Sequence, residues 1–350
     1  MNQARIEVHG EFVRVVEPSG TADFHLRWLR HNCDLDRHST TGERTVDSAE
    51  LPDELAVGEA EVAGDALVIR WLHDRRTSHY ALAWLREHAY AIDRELVPLP
   101  PSDPARLEIT AGDRTFVDLA REALARVATA GAAVIRRPSE LAEHETEAWI
   151  EAFEATGLAV IGTHFGRIED LRTDNTTNAN TDQLGYTDAA IELHTDQPFL
   201  ARPPRYQLLQ SIRAAGTGGD SLIADALAAY RYLASTDAAT AELVRTTPIR
   251  FHRKQRAFEA EVVAPLVTIA GDAFQIRSSY FTMAPHRVAF DRMASWYRAY
   301  DGFTRLVRNH RYQLRLAPGD VLLYDNHRAL HGRTAFHGDR WVRGVYFDPS

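Results

Sequence analysis

A series of short strand-like segments from residue 186 onward constrains the fold more than any other feature of this chain. Gly and Asp residues separate the segments as turns do. One helical stretch, FDRMASWYRAYDGFTRLVRN, interrupts them. Many short strands of this kind predict a barrel or a double-sheet jelly roll that carries helices on one face. The segments are AIELHTDQPF, RYQLLQSIRA, GDSLIADA, VTIAGDAFQIRSSYF, RYQLRLAPGDVLLYD and RWVRGVYFD.

The first hundred residues have a different pattern. RIEVHGEFVRVVE alternates polar and apolar residues, EAEVAGDALVIRWLHD has a Gly-Asp turn between two strand-like runs, and YALAWLREHAYAI favours a helix. A proline-rich stretch at 96–109 has the composition of a linker. The sequence therefore predicts a domain boundary near residue 100. Beyond it, TFVDLAREALARVATAG and ETEAWIEAFEATG predict two helices that each end at a glycine.

Composition excludes several classes of partner. The net charge of −9 argues against binding to nucleic acid or to an anionic membrane surface, since both require a basic patch. No apolar run approaches the roughly 20 residues that span a bilayer, and no secretory signal is evident at the start. The single cysteine excludes an internal disulfide framework. We therefore expect a soluble, cytoplasmic protein.

The stretch AIELHTDQPF at 190–199 contains a histidine and an aspartate two residues apart. Sixteen histidines and 49 acidic residues among 350 produce about two such pairs by chance, and three occur, so the spacing alone proves nothing. On a strand, His194 and Asp196 would project to the same side. A second histidine would complete the two-histidine, one-carboxylate set that holds non-haem Fe(II).

The C-terminal stretch YDNHRALHGRTAFHGDR offers three further histidines. His337 lies in a Gly-Asp turn and His327 in a polar segment, and both patterns predict solvated side chains. His331 differs from both, because it follows Leu330 and precedes Gly332, a residue that lets the backbone approach another group closely.

The final segment, RWVRGVYFD, has two distinct faces if it forms a strand. Arg340 and Tyr346 share one face, while Arg343 lies on the other. If Tyr346 points into a cavity, Arg340 does too, and a buried arginine needs an anion. That anion is either the carboxylate of an organic acid or an Asp or Glu of the chain itself.

Four stretches of the chain resemble the motifs of Fe(II)/2-oxoglutarate dioxygenases and occur in the same order as in those enzymes. They are ELHTD, GTGGDSLIAD, PGDVLLYDNHRALHGR and RWVRGVYFD. Within these enzymes, the chain is similar over nearly its whole length to the gamma-butyrobetaine and trimethyllysine dioxygenase group, relatives of taurine dioxygenase. RWLRHNC and SHYALAWLREH resemble that group's small N-terminal domain. The resemblance implies a mainly β protein with flanking helices. Residues 101–350 would form a double-stranded β-helix (jelly-roll) catalytic domain, and residues 1–100 a small α+β domain.

The resemblance also implies the roles of five residues. His194, Asp196 and His331 would bind Fe(II). Arg340 would bind the distal carboxylate of the co-substrate 2-oxoglutarate, and Ser221 stands at a co-substrate-binding position. The implied reaction consumes O2, releases succinate and CO2, and hydroxylates an aliphatic carbon of a small-molecule substrate. Relatives are often dimers, so a homodimer is one of the states that the resemblance leaves open.

A zinc site in the N-terminal domain is a weaker implication. The group commonly binds zinc there through three cysteines and a histidine, and the matching positions are Cys33, Leu35, His38 and His79. Leu35 cannot ligate, whereas a structural zinc takes four ligands. The resemblance leaves two alternatives, a zinc site in which Asp34 or Asp36 substitutes for the missing ligand and a metal-free domain held by its own core.

The resemblance predicts the substrate less completely. The group surrounds a trimethylammonium head with aromatic side chains, and Tyr186 and Tyr346 match two of those positions. Two further matching positions hold Glu169 and Thr173, where the group has aromatic residues, and Asp174 follows in the same stretch. We therefore expect a small zwitterion, a betaine-like compound or an amino acid, with a cationic nitrogen that carries fewer methyl groups than trimethyl. Arg277 is a candidate partner for the anionic end, and a surface arginine is the alternative.

Two other functions stay open at this point. A non-oxidative, cupin-like metalloenzyme would use the same three ligands, but it would not need Arg340 and Ser221 to bind a 2-oxo acid. A jelly-roll binding module with a degenerate metal site would carry exposed aromatic residues on one strand face, and no such pattern is evident.

Overall fold

The computed structural model describes residues 4–18, 20–89, 97–173 and 183–350. Its contacts divide the chain into two compact units, Met1–Arg94 and Glu95–Ser350. Within the described residues, no helix is both long and apolar enough to cross a bilayer.

The first unit consists of two three-stranded antiparallel sheets and two short helices. Its sheets have the orders β1-β2-β3 and β4-β5-β6. Alternate residues of the strands, such as Val13 and Val15 on β2 and Leu67 and Ile69 on β5, are buried in one shared core. The elements are β1 (Arg5–His9), β2 (Phe12–Glu17), β3 (Gly20–His25), α1 (Leu26–Asn32), β4 (Val57–Ala63), β5 (Ala66–Trp71), β6 (Thr77–Ala81) and α2 (Leu82–His88).

The second unit is mainly β and carries five helices among its described residues. Its helices are α3 (Phe116–Ala130), α4 (Thr146–Glu154), α5 (Ala226–Thr236), α6 (Ala238–Thr246) and α7 (Phe290–Asn309). Its strands are β7 (Glu108–Thr110), β8 (Ala132–Arg136), β9 (Leu158–Ile161), β10 (Glu169–Leu171), β11 (Ile191–His194), β12 (Tyr206–Arg213), β13 (Thr217–Gly218), β14 (Ser221–Asp225), β15 (Ile249–Gln255), β16 (Phe258–Ala264), β17 (Val267–Ala270), β18 (Ala273–Ile276), β19 (Met283–Ala284), β20 (Tyr312–Leu314), β21 (Val321–Asp325), β22 (Ala329–Arg333), β23 (Phe336–His337) and β24 (Trp341–Pro349).

Two sheets dominate this unit. The larger has seven strands in the order β10-β24-β12-β21-β8-β7, with β9 paired to β24, and the smaller has the order β11-β22-β14-β20. One apolar core holds residues from both, including Leu209 and Val342 of the larger sheet and Ile223 and Ala329 of the smaller. The two sheets therefore pack face to face, and alternate residues of each strand fill the space between them.

Helices cover both sheets, whereas the sequence predicted helices on one face only. On β12, Leu209 points between the sheets, and its neighbour Leu208 packs against α3 and α4. On β14, Leu222 packs with α5, α6 and α7 on the far side of the smaller sheet. Both sheets are apolar on both faces, so each needs a cover on its outer face as well.

The helix predicted over 115–131 is α3, and its terminal residues explain where it begins and ends. Thr115 caps its start by accepting a hydrogen bond from the Asp118 backbone N–H at 3.2 Å. Gly131 ends it with a φ of 80°, a left-handed conformation that glycine adopts without strain. This helix leads directly into β8 of the larger sheet.

Candidate active site

Three side chains form a compact cluster at one end of the smaller sheet. His194 ends β11 and faces His331 of β22 across the antiparallel pair. Nε2 of His194 lies 3.4 Å from Oδ1 of Asp196, and Nε2 of His331 lies 3.7 Å from the same oxygen. The three potential ligand atoms all lie within 4.8 Å of one another. Two imidazole nitrogens and one carboxylate oxygen are the donor set of mononuclear non-haem Fe(II) sites.

Strand alternation does not account for the position of Asp196 in this cluster. β11 ends at His194, so Asp196 lies beyond the strand, and a register shift precedes the ending between Ile191 and His194. The side chain of Asn326 holds the segment instead. It accepts a hydrogen bond from the Asp196 N–H at 2.8 Å and donates one to the Asp196 carbonyl at 3.0 Å. A contact distant in sequence therefore positions the carboxylate.

Hydrogen bonds orient two of the three side chains. The carbonyl of Glu192 accepts from Nδ1 of His194 at 2.8 Å, which leaves the Nε2 lone pair of His194 directed at the cluster. The hydroxyl of Tyr346 donates to Oδ2 of Asp196 at 2.6 Å, which leaves Oδ1 facing the histidines. These contacts place the nitrogen and the oxygen where two ligands of one metal ion would lie.

His331 and Asp196 are both deprotonated at neutral pH. Burial, followed by the neighbouring His194, lowers the pKa of His331 to about 3. Burial opposes ionisation of Asp196, but the two histidines and the Tyr346 hydroxyl outweigh it, and the pKa of Asp196 lies well below its usual range. A neutral imidazole and a carboxylate are the forms that bind a metal.

The glycine after His331 allows β11 and β22 to approach closely. A Cβ on Gly332 would lie 2.5 Å from the carbonyl oxygen of Ile191. We expect Gly332→Ala to destabilise the protein by about 1–3 kcal/mol, because the added methyl group forces the two ligand-bearing strands apart. Chemical unfolding measures the loss of stability, and bound-iron content measures the effect of separating the two ligand-bearing strands.

The matched control for this prediction is Gly302→Ala on α7. A Cβ on Gly302 would meet nothing within 4 Å, and alanine has a higher helix propensity than glycine. We expect Gly302→Ala to leave iron content unchanged and to preserve or increase stability. Equal behaviour of the two variants would contradict the role given to the close approach at Gly332.

The cluster opens into a cavity of about 910 Å³, a volume that includes the part open to solvent. The residues that line the cavity include Arg340 and Ser221, which the resemblance assigned to co-substrate binding. Ser221, 3% exposed, lies on β14 directly opposite Arg333 of β22. The structure thus brings both predicted co-substrate residues into the same cavity as the three ligands.

Arg340 is a buried cation that pairs with no carboxylate in the described part of the chain. It is 8% exposed, and its guanidinium lies 5.6 Å from the centre of the Phe336 ring. Burial, followed by the nearby Arg333, lowers the pKa of Arg340 to about 9. A buried charge without a counter-ion is destabilising. An anion in the cavity would remove that cost.

Arg343 shows the contrast between the two faces of β24. Its Nε donates to Oδ1 of Asp170 at 3.0 Å, and Nη1 donates to the Glu143 carbonyl at 2.6 Å. Arg343 does not line the cavity, whereas Arg340, Val342 and Tyr346 do. The alternation expected for the last strand is therefore present in the structure.

A buried carboxyl group also lines the cavity. Glu169, 4% exposed, accepts hydrogen bonds from the Tyr186 hydroxyl at 2.9 Å and from Nε2 of Gln183 at 2.8 Å. Burial, followed by the nearby Asp196, raises the pKa of Glu169 to about 8. A cation in the cavity would stabilise the ionised carboxylate.

The two tyrosines proposed for an aromatic cage have other contacts. Tyr186 is absent from the cavity lining and binds Glu169 through its hydroxyl, while Tyr346 lines the cavity with its hydroxyl on Asp196. Other aromatic side chains form the walls. They are Phe165, Phe199 and Phe281. Asp174 lies outside the described residues.

Arg277 does not reach the cavity. Its guanidinium is buried and donates to the carbonyls of Pro198 and Leu200, both at 2.7 Å, and of Ala201 at 3.0 Å. The structure places a different arginine, Arg253 of β15, in the cavity wall. The sequence around Arg253, FHRKQR, has the pattern of an ordinary charged edge strand. Nothing in it indicates that Arg253 faces a cavity.

The two other C-terminal histidines stay outside the metal cluster. His337 is exposed, as its turn sequence predicted. His327 is half-buried rather than solvated, because its Nε2 hydrogen-bonds the carbonyl of Pro203 at 2.9 Å.

The residues proposed for zinc do not come together in the first unit. Among the residues that the structure describes, the one cluster with metal-ligand geometry is that of His194, Asp196 and His331. His38 and His79 are exposed, whereas Cys33 is buried. Cys33 instead contacts an ion-pair network through Arg30. In it Arg30 contacts the Cys33 sulfur at 3.2 Å, Asp74 at 3.0 Å, and Asp36.

The chain is similar to known dioxygenases in sequence. The family model described as "Taurine catabolism dioxygenase TauD, TfdA family" matches residues 96–346. The gamma-butyrobetaine dioxygenase of Pseudomonas sp. (strain AK-1) is 28% identical to this chain, over 93% of this chain and 87% of that protein. The trimethyllysine dioxygenase of Meyerozyma guilliermondii is 24% identical, over 97% of this chain and 91% of that protein.

Solved structures share the fold at lower identity. The non-haem iron oxygenase OrfP, crystallised with Fe and alpha-ketoglutaric acid, superposes with a TM-score of 0.51 at 21% identity, over 66% of this chain and 78% of that one. The PvcB protein from Pseudomonas aeruginosa superposes with a TM-score of 0.52 at 20% identity, over 74% of this chain and 93% of that one.

Proposed function

This chain belongs to the taurine catabolism dioxygenase TauD, TfdA family, and on that premise we propose that it is an Fe(II)- and 2-oxoglutarate-dependent hydroxylase. Its substrate would be a small zwitterion with a cationic nitrogen, hydroxylated at an aliphatic carbon. We further propose that the two facing sheets form a double-stranded β-helix, within a catalytic domain over 101–350 that follows a small domain over 1–100.

One observation carries the co-substrate assignment. Arg340 is buried, pairs with no described carboxylate, and shares a cavity with the metal cluster. The fork of a guanidinium binds a carboxylate through two parallel hydrogen bonds. A dicarboxylate such as 2-oxoglutarate would place one carboxylate on Arg340 and Ser221, and its other end would face the three ligands.

The proposed reaction is balanced in atoms and electrons. Substrate C–H, 2-oxoglutarate and O2 become substrate C–OH, succinate and CO2. One oxygen atom enters the new hydroxyl, and the other enters the new carboxylate of succinate, which forms at the former keto carbon. The bond between that carbon and the neighbouring carboxylate breaks, and the carboxylate leaves as CO2. Bound iron supplies the activation of O2. The chain itself holds the ligands, orients the dicarboxylate and positions the C–H bond.

The cavity supports a cationic substrate. Glu169 offers a buried carboxyl group, which a bound cation would stabilise as the carboxylate. Phe165, Phe199 and Phe281 supply aromatic faces that attract cations. Arg253 lies in the same wall and replaces Arg277 as the proposed partner of the anionic end. Two of the relatives are named for gamma-butyrobetaine and trimethyllysine, which both carry a cationic nitrogen.

An anaerobic mixture with Fe(II) and 2-oxoglutarate tests the reaction type. We expect a weak visible charge-transfer band, because a 2-oxo acid chelated to Fe(II) absorbs there. In air, succinate formation should increase with a cationic member of a panel of gamma-butyrobetaine, trimethyllysine, lysine, arginine and asparagine. A non-oxidative cupin-like metalloenzyme would show neither the band nor succinate.

The role of Glu169 gives a separate prediction. We expect Glu169→Gln to raise the KM of a cationic substrate by about 100-fold or more, because the amide removes the counter-charge of a buried cation. The KM for 2-oxoglutarate should stay the same. The control is Glu147→Gln, which changes an exposed carboxylate that pairs with Arg167 at 2.7 Å. Substrate KM values that match between the two variants would eliminate Glu169 as the cation site.

A further inference from the structure

One short turn carries part of the wall of the active-site cavity. The turn 163–166, between β9 and β10, closes through two backbone hydrogen bonds between Thr163 and Gly166, at 3.0 and 2.9 Å. Its residue Phe165 lines the cavity, and so does Glu169, which begins β10 shortly afterwards. The connection between two strands therefore carries two of the residues proposed to bind the substrate cation.

The residue proposed to bind the anionic end of the substrate lies on a different element. Arg253 lines the cavity from β15, and the buried Gln255 follows on the same face of that strand. β15 pairs with β16 and β19 in a sheet of its own, so among the described strands no backbone pairing joins it to β9 or β10. Any fastening between the two elements must come from side chains.

The side chain of His164 makes that connection. Its Nε2 donates to Oε1 of Gln255 at 3.1 Å. Its ring stacks on the ring of Phe258 of β16, with 3.8 Å between the ring centres and 7° between the planes. The ring centre of Phe165 also lies 3.8 Å from that of His164. His164 thus contacts both the cavity-lining residue of the turn and the strand pair that carries Arg253.

His164 makes these contacts as a neutral ring. Burial lowers the pKa of His164 to about 4, and the nearby Arg253 lowers it as well, against the hydrogen bond to Gln255. The imidazole is therefore uncharged at neutral pH, and it can lie near Arg253 without repelling the guanidinium. Its effect on the cavity comes from the hydrogen bond and the ring contacts, not from charge.

We infer that His164 is a positioning residue that fixes the distance between the two ends of the substrate site, and so selects zwitterions by their length. Phe165 and Glu169 would bind the cation while Arg253 binds the anion. With the turn fastened to β15, only one separation of the two charges satisfies both ends. This inference rests on the proposed function and deepens it, because it adds a substrate length to the substrate class.

The first test measures hydrogen exchange over residues 158–171 in the full chain by mass spectrometry. We expect His164→Ala to speed exchange of the amides in the turn 163–166 by about tenfold or more, since it removes a hydrogen bond and a stacked ring pair. Gln255→Leu removes the same hydrogen bond from the other side, and it should speed exchange in the same turn by a smaller factor.

The matched control is His252→Ala, which also removes an imidazole hydrogen bond between β15 and β16. Nε2 of His252 lies 2.9 Å from Oε1 of Glu259, and strand alternation places His252 on the face of β15 opposite to Arg253. Neither His252 nor Glu259 lines the cavity. We therefore expect exchange in the turn 163–166 to stay at the wild-type rate in this variant.

The second test compares zwitterions that differ by one methylene group, with the iron-loaded protein. Succinate formation is measured with gamma-butyrobetaine against its homologue longer by one methylene group, and with lysine against ornithine. We expect wild type to favour one member of at least one pair by about tenfold or more in kcat/KM. His164→Ala and Gln255→Leu should lose most of that preference, whereas His252→Ala should keep it. The KM for 2-oxoglutarate should be unchanged in all three variants.

Four results would overturn the inference. They are unchanged exchange in the turn of His164→Ala, equal turnover of both members of each pair by wild type, a length preference that His164→Ala keeps or that His252→Ala also loses, and no succinate from any of the four compounds. The charge-transfer band of wild type with Fe(II) and 2-oxoglutarate separates this failure from failure of the proposed function. A band together with any of these results rejects the role of His164 alone, and no band rejects the dioxygenase chemistry itself.

Discussion

His331→Ala is expected to lower bound iron from about one ion per chain to near zero and to reduce succinate formation to background. His331 supplies one of three ligand atoms in the cluster, and two remaining ligands hold Fe(II) poorly in water. We expect the same outcome for His194→Ala and Asp196→Ala. Metal analysis of the purified protein and a succinate assay measure the two effects.

Two other histidines serve as controls for that prediction. His327→Ala removes a hydrogen bond to the Pro203 carbonyl, and His337→Ala changes an exposed side chain. Both variants should keep their iron, although His327→Ala should be somewhat less stable. Full activity of His331→Ala, or loss of iron from His337→Ala, would show that the cluster is not the metal site.

Arg340→Ala is expected to raise the KM for 2-oxoglutarate by about 100-fold or more, because it leaves a buried carboxylate of the co-substrate without its counter-charge. Because Arg340 pairs with no described carboxylate, its removal should not lower the unfolding temperature of the co-substrate-free protein. Co-substrate titrations and thermal unfolding measure the two quantities separately.

Arg343→Ala should behave in the opposite way. It breaks the ion pair with Asp170 at 3.0 Å, so the unfolding temperature should decrease while the KM for 2-oxoglutarate stays nearly constant. Matching KM values for Arg340→Ala and Arg343→Ala would refute the assignment of the co-substrate carboxylate to Arg340.

The sequence by itself determined the mainly β class and the position of most elements. Strand alternation and helix termini depend on residues close together in the chain, so periodicity reveals them. At the last strand it separated Arg340, which directly precedes β24, from Arg343 on the strand. At Gly332 it indicated a close backbone approach, which the structure shows at β11. The predicted position of helices on one face was wrong, because local patterns do not reveal which sheet a helix covers.

Only the tertiary structure decided how the side chains of the cavity are paired. Asn326 positions Asp196 across 130 residues of sequence, and Arg277 binds backbone carbonyls rather than the cavity. Glu169 and Gln197 each look unremarkable in the sequence. Glu169 becomes a buried carboxyl group, and Gln197 an amide without a hydrogen-bond partner in the described part of the chain. Burial and hydrogen-bond partners depend on which distant segments the fold brings together.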